Sequence, residues 1–463
     1  MDTTTPLPST PAPRGVLAGL GLAMLLPALG TSIANVALPA LALQFVLPST
    51  HVQWVVIAYL LTLTAAVVAA GRLGDVWGRR RLLLAGLALF ALASLVAGAA
   101  PGLGWLIAAR VAQGLGAAVM MALTLALVGE VVPKAQAGSA MGLLGTLSAV
   151  GTALGPSLGG LLLATWGWQA VFWVNVPLGL AALALAWWQL PLDRATPPRT
   201  VRFDHLGTAL LALSLTAYAL AMTLQPGAWG TLNTGLLLAA GLGLAAFAWV
   251  ETRAPAPLLR LQTLRLPAVA TGVAVNALIT TVVMATLVVG PFYLAGGVGL
   301  DAARMGLVMT TGPAVAALAG APAGKLVDRL GATRVTGAGL LLMLAGSAAL
   351  PWASATWGAA GYAATLALIT AGYASTQAAN NTAVMASAPA DQRGLVSGLV
   401  NLSRNLGLIT GASAMGAVYQ WGATAAGEVD ALAGLRLAFG VAAGLVLAAM
   451  VVAGLGQRVA RHG

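Results

Sequence analysis

The chain has 463 residues, of which 59% are apolar and 7% charged, with a mean hydropathy of +0.92. Its 22 Lys and Arg and 11 Asp and Glu are too few to cover the roughly three soluble domains that such a length would otherwise suggest, so most of the surface faces lipid. The net charge of +11 does not indicate nucleic acid, because the basic residues come in ones to threes between apolar runs rather than in one dense patch. The absence of cysteine excludes disulfides and thiolate metal sites, and His51, His205 and His462 are too scattered for a histidine cluster, so neither metal nor cofactor is expected.

Residues 1–14 are polar and rich in Pro and Thr, and are read as a tail. The apolar run that follows is too long for a signal-peptide core and lacks a cleavage site, so it is taken as the first span. A span needs about 20 mostly apolar residues. Reading between loop signals predicts helices at 15–41, 52–70, 82–100, 104–129, 139–164, 169–190, 206–225, 232–251, 267–293, 303–323, 332–352, 356–384, 396–420 and 432–456. The expectation is an all-α polytopic membrane protein with fourteen helices. All Lys and Arg except Arg304, Arg436, Arg110 and Arg404 then fall on the side that holds the amino terminus. By the positive-inside rule that side is cytoplasmic, and an even helix count puts both termini there. High Ala, Leu, Gly and Arg with little Lys suggests a GC-rich bacterial genome, hence the bacterial cytoplasmic (inner) membrane.

An internal repeat organises the chain. Gly71, Asp75, Gly78 and Arg81, after the second helix, recur as Gly324, Asp328, Gly331 and Arg334, each 253 residues further on, after the tenth. Two six-helix halves follow, 15–190 and 267–456, separated by 191–266 with two extra helices and followed by a tail at 457–463. Parallel halves are a transporter architecture, with the substrate site between them near the bilayer midplane. In these loops the glycines permit a tight turn, Asp75 is suited to cap the next helix, and Arg79 and its neighbours can meet headgroups or a helix end. In the fifth helix, Gly151, Gly155, Gly159 and Gly160 surround Pro156. Small residues allow close backbone approach and proline removes an internal hydrogen bond, which suits an external seal that can open.

The repeated loop resembles the signature of the major facilitator superfamily. Arg110-Val-Ala-Gln113-Gly114-Leu-Gly116 resembles that superfamily's helix-4 motif, and Gly151-Thr-Ala-Leu-Gly155-Pro156-Ser-Leu-Gly159-Gly160 its antiporter motif. Leu38-Pro39, Gln53-Trp54-Val-Val-Ile-Ala-Tyr59-Leu, Trp168-Gln-Ala-Val-Phe172-Trp-Val-Asn175-Val-Pro177 and Phe203-Asp204-His-Leu-Gly207 are similar to the fourteen-helix drug–proton antiporters of the EmrB/QacA type, over about residues 24 to 455. The resemblance implies two six-helix bundles plus a central hairpin. It also implies a monomer that exports lipophilic small molecules against proton influx by alternating access.

One departure alters that expectation. The family pattern carries an acid in helix 1 where this chain has Gly30, within Leu29-Gly30-Thr31-Ser32-Ile33-Ala34-Asn35. None of the eleven carboxylates is predicted deep in a span, although cation binding and proton coupling both call for one there. Neutral, zwitterionic or anionic substrates are therefore favoured over permanent dications, and Asp75, Arg110 and Glu130 are the coupling candidates. For Arg110, holding helix 1 through polar atoms competes with a role in coupling. The expected cavity residues are Thr31, Asn35, Trp54, Tyr59, Gln113, Asn276, Gln377, Asn380, Asn381, Asn401, Arg404 and Asn405, with Thr280, Thr281, Met120 and Met121 nearby. The asparagines are equally suited to interhelical hydrogen bonds. A carrier of lipid, or of an anionic or neutral metabolite without a buried coupling carboxylate, is the alternative. A membrane-embedded enzyme or sensor would need a catalytic set or a soluble domain, and no segment between predicted spans exceeds about 20 residues.

Overall fold

The computed structural model describes residues 14–132, 134–193, 204–224, 230–254, 261–387, 393–424 and 430–462. Among these no strand occurs. The helices are α1 (Arg14–Phe45), α2 (Trp54–Trp77), α3 (Arg79–Gly98), α4 (Leu103–Val131), α5 (Lys134–Trp166), α6 (Trp168–Gln189), α7 (His205–Thr223), α8 (Thr231–Arg253), α9 (Pro267–Gly296), α10 (Ala302–Leu330), α11 (332–357), α12 (359–387), α13 (393–424) and α14 (Ala431–His462). α11 and α12 run as one helical assignment, interrupted only at Gly358, whose φ of 56° is in the left-handed region. α13 contains a π-helical turn, Gly411–Met415.

Consecutive helices run antiparallel, so the ends near 14, 78, 193, 331, 387 and 462 share one face, here called the terminal face. The ends near 47, 100, 167, 299, 358 and 424 share the far face. Exposed tryptophans mark both levels. Trp77, Trp187, Trp188 and Trp249 ring the terminal face, and Trp105, Trp166, Trp352, Trp357 and Trp421 the far face. Indoles at two levels along apolar rods are the pattern of an aromatic belt at each bilayer interface.

The buried apolar side chains form two main clusters, one centred on α1–α6 and one on α9–α14. Lipid is as apolar as leucine, so association between these helices rests on close packing of small residues. Gly114 meets the Tyr59 carbonyl across α4 and α2, and Gly116 meets the Gly86 carbonyl across α4 and α3. α7 docks where the halves meet: the Trp54 indole on α2 donates to Thr223 Oγ1 at 2.9 Å, and α7 also packs against the π-helical turn of α13. α7 clasps both halves, while α8 lies outside it with most residues exposed or half-buried. Glu251 is buried in the last turn of α8 beside Gly207.

Two expectations for the repeated motif need correction. It is not an open loop: residues from Gly71 to Trp77 complete α2 and those from Gly324 to Leu330 complete α10. Only Gly78 (φ +95°) and Gly331 (φ +84°) make the turn, in conformations that only glycine adopts without strain. The cap of α3 also comes from elsewhere. Asp193, just past α6, accepts from the Arg80 and Arg81 amides at 2.8 and 3.1 Å, so those two donors are taken by Asp193 rather than by Asp75. Asp75, Arg72 and Glu130 have side chains outside the described residues.

Candidate functional site

The buried charge of the first half belongs to a closed polar network. Arg110 is fully buried on α4, its Nε donates to the Val55 carbonyl at 2.7 Å, and one terminal nitrogen donates to Gln113 Oε1 at 2.5 Å. Gln113 in turn donates to Ser94 on α3 at 2.7 Å. The guanidinium lies 4.1 Å from the centre of the Tyr59 ring and 5.9 Å from that of Phe172, so aromatic faces take the place of a counter-ion. Tyr59 donates to the Pro27 carbonyl on α1 at 3.0 Å. Arg110 thus grips α2 directly and reaches α1 only through Tyr59, not by its own polar atoms as expected. Among the described residues, Nη2 of Arg110 has no acceptor.

Gly30 faces this network. A Cβ there would sit 3.7 Å from the Tyr59 hydroxyl and 3.3 Å from Phe90 Cζ. An acid at this position would therefore point toward the Tyr59–Arg110 pair.

The glycines of α5 hold two different neighbours. Gly151, Gly155 and Gly159 press on α1 at the Leu25 carbonyl, Ser32 and Ile33, and Ser32 Oγ donates to the Gly151 carbonyl at 3.3 Å. Gly160 and the Pro156 carbonyl turn to α10 of the other half: a Cβ on Gly160 would come within 2.9 Å of Gly306 Cα. Nearby on the far face, Ser49 hydrogen-bonds to Gln420, and Gly416 of α13 packs on the Gln53 side chain. The halves are in close contact there.

Below this contact lie two cavities that share part of their lining. The inner one, of about 150 Å³, is lined from α1, α2, α4, α5, α9, α10, α12 and α13. Thr31 and Ser32, Ser148 and Thr152, and Thr280 and Thr286 supply its hydroxyls, and Met24, Met121, Met284 and Met309 its polarizable apolar surface. The second, of about 500 Å³, extends toward the terminal face between α12 and α13 and is lined by Gln377, Asn381, Met385, Val400 and Asn401. Tyr373 and Arg404 line both, and Asn405 the inner one.

Thr31, Gln377, Asn381, Asn401, Arg404, Asn405, Thr280 and Met121 thus stand on the cavity wall. The others do not, for identifiable reasons. Asn35 folds back to the Thr31 carbonyl at 2.9 Å, Asn276 ties α9 to the Val400 carbonyl and Ser403 at 2.8 Å each, and Asn380 donates to the Gly272 carbonyl at 3.1 Å. Trp54 is engaged by α7, Tyr59 and Gln113 belong to the Arg110 network, and Met120 and Thr281 are buried among neighbouring helices. The sequence reading overlooked Tyr373, although it lies one turn before Gln377 on the same face, and it overlooked the serines and methionines from α1, α5, α9 and α10.

Two helical halves around a midplane cavity, with no soluble domain among the described residues, define a membrane carrier. The chain belongs to the Major Facilitator Superfamily, whose sequence model matches residues 20–412 and again 283–462. It is 33% identical over 406 residues to the multidrug resistance protein Stp of Mycobacterium tuberculosis, covering 87% of this chain and 75% of that protein. The tetracenomycin C resistance and export protein of Streptomyces glaucescens is 30% identical over 409 residues, with the same coverage of 87% and 75%. The riboflavin transporter RibZ of Clostridioides difficile is 29% identical over 400 residues, covering 86% of each chain. Among solved structures, a bacterial homologue of the human lysosomal transporter Spinster, in an inward-facing and unoccupied conformation, superposes with a TM-score of 0.72 at 16% identity, over 97% of this chain and 98% of that one. The protein is a multi-pass transporter and not an enzyme.

Proposed function

We propose that this protein is a secondary exporter of hydrophobic or amphipathic small molecules, of the fourteen-helix EmrB/QacA type, that works by alternating access in the bacterial inner membrane. The observation that carries the reading is the midplane cavity, closed toward the far face where Gly160 meets Gly306 and extending toward the terminal face through Gln377, Asn381 and Asn401. With basic residues concentrated at the terminal face, that face is cytoplasmic, both termini lie inside, and the conformation is inward-facing. A Met-rich, hydroxyl-lined wall suits varied apolar ligands, because unbranched thioethers repack around different shapes. The names of the Stp and tetracenomycin relatives support drug export.

In this reading a monomer exchanges substrate for protons. Among the described residues no carboxylate lines the cavity, so the exchange rests on Asp75 or Glu130 at the terminal-face ends of α2 and α4. The same lack of a cavity acid, together with the RibZ relative, favours a second reading: a carrier of a neutral or anionic metabolite without proton exchange through a buried acid.

Proteoliposomes with an imposed pH gradient, loaded with a dye panel and an internal pH reporter, separate the two. Substrate-dependent proton flux abolished by Asp75→Asn or Glu130→Gln supports antiport. Substrate movement without linked proton flux sinks antiport and leaves the second reading.

A further inference from the structure

We propose that the cavity binds amphipathic anions, with Arg404 receiving the anionic head and the inner chamber the apolar body. The inference rests on the exporter reading above and names its substrate class.

Arg404 is half-buried on α13 at the junction of the two chambers. Among the described residues its guanidinium has no hydrogen bond, ion pair or aromatic partner. That sets it apart from Arg110, whose charge is offset by a carbonyl, an amide oxygen and two aromatic faces. A cation held at membrane depth without a partner is costly, and the cost is offset when an anion arrives. The described carboxylates, Asp193, Asp204, Glu251, Asp301, Asp328 and Asp430, are all absent from the cavity wall.

The groups around Arg404 suit an anionic head. Asn381 and Asn405 offer amide donors and Tyr373 a hydroxyl, adding donors to the one positive charge without a second one. The guanidinium fork matches the two oxygens of a carboxylate, sulfonate or phosphate. On the other side of Arg404 the inner chamber presents thioethers and aliphatic side chains, with Thr280 Oγ1 buried and unpartnered among the described residues. A ligand spanning both would place charge at the junction and its ring or chain in the apolar chamber. A lipophilic cation in the same position would meet Arg404 with no carboxylate beside it.

The test is equilibrium binding to the purified full chain in neutral detergent, using carboxyfluorescein and rhodamine 123, which share a xanthene core and differ in the sign of their charge. The expected result is anion binding at least about ten-fold tighter than cation binding. Arg404→Gln should weaken carboxyfluorescein about ten- to hundred-fold, as loss of a charged hydrogen-bonding partner does, and leave rhodamine 123 equal or tighter. Arg404→Lys, which keeps the charge and loses the fork, should fall between. Should Arg404→Gln prove misfolded by size exclusion, the lysine variant and the wild-type anion-to-cation ratio decide alone. Displacement of the dye by phosphatidylglycerol in mixed micelles assigns the anion to a lipid headgroup; no displacement assigns it to a free solute, and the anion site stands in both. Equal or tighter binding of the cation to wild type, or an Arg404→Gln variant with unchanged anion affinity, overturns the inference. Carboxyfluorescein export unaffected by Arg404→Gln would overturn it while the exporter reading stands. Anion binding through Arg404 without movement of any dye in proteoliposomes would retire the exporter reading and leave the anion site.

Discussion

Gly160 on α5 and Gly306 on α10 meet backbone to backbone, each so close that a Cβ on either would lie 2.9 Å from the other's Cα. This is a contact between the two halves, and backbone cannot yield as a flexible side chain does. Gly306→Val should therefore disfavour the state in which the far face is closed. Overpacking of this kind costs about 1–3 kcal/mol, a shift of roughly five- to 150-fold in the balance of conformers. The chain has no cysteine, so spin labels on Cys substituted at Leu161 and Leu307 report the spacing without background. The expected outcome is a longer label distance with lower transport. An unchanged distance distribution would show that the contact does not hold the halves together.

Arg110 should behave as a structural anchor whose geometry matters as much as its charge. Its fork reaches the Val55 carbonyl and Gln113 while lying flat on Tyr59, and a lysine ammonium cannot do all three. Arg110→Lys is expected to lose about 1–3 kcal/mol, the cost of leaving buried polar groups without partners, read as a lowered thermal unfolding midpoint in detergent. A midpoint equal to wild type, with transport lost, would move Arg110 from anchor to coupling group.

The two copies of the repeated motif are predicted to be unequal. Gly78 and Gly331 share the same turn, so alanine at either meets a left-handed penalty of about 1–2 kcal/mol. At Gly331 a Cβ meets nothing within 4 Å, whereas at Gly78 it runs into the Asp193 carboxylate that caps α3. Gly78→Ala should thus cost about 1 kcal/mol more than Gly331→Ala, the value of a lost cap. Asp193→Ala alone should reproduce that difference. Equal losses in thermal unfolding for Gly78→Ala and Gly331→Ala would remove the cap from the account.

These cases show where the sequence was legible. Apolar run length and the spacing of Lys and Arg carry the helix count and the two halves, because a bilayer demands spans of fixed length and penalises charge inside them. The repeated glycines and the α5 glycines are visible because a turn or a close approach leaves few other residue types available. What was not legible is rotation about each helix axis. Asn276 and Gln377 are both intramembrane amides, yet one ties α9 to α13 and the other lines the cavity. Polarity alone fixes only that each needs a partner. Asp193 was hidden for another reason: it lies 115 positions after Gly78, and only the packing of α6 beside α3 brings the two together.

The last prediction concerns the missing acid of α1. Gly30 is buried and turned from the cavity toward Phe90 and Tyr59, Arg110 lies over the Tyr59 ring, and among the described residues Arg110 Nη2 has no acceptor. An aspartate there would need Phe90 to give by a few tenths of an ångström, and its carboxylate would start beside the hydroxyl of Tyr59, whose ring carries the Arg110 guanidinium, rather than at the cavity. Gly30→Asp should consequently couple to Arg110 and leave ligand choice alone. In a double-mutant cycle with Arg110→Gln, thermal unfolding is expected to reveal an interaction of about 0.5–3 kcal/mol favouring the introduced carboxylate together with Arg110 over either alone. The carboxyfluorescein-to-rhodamine 123 preference should stay within about two-fold of wild type, since Arg404 and the cavity wall are untouched. Additive single changes would separate position 30 from Arg110, and a preference reversed toward the cation would place position 30 on the substrate path.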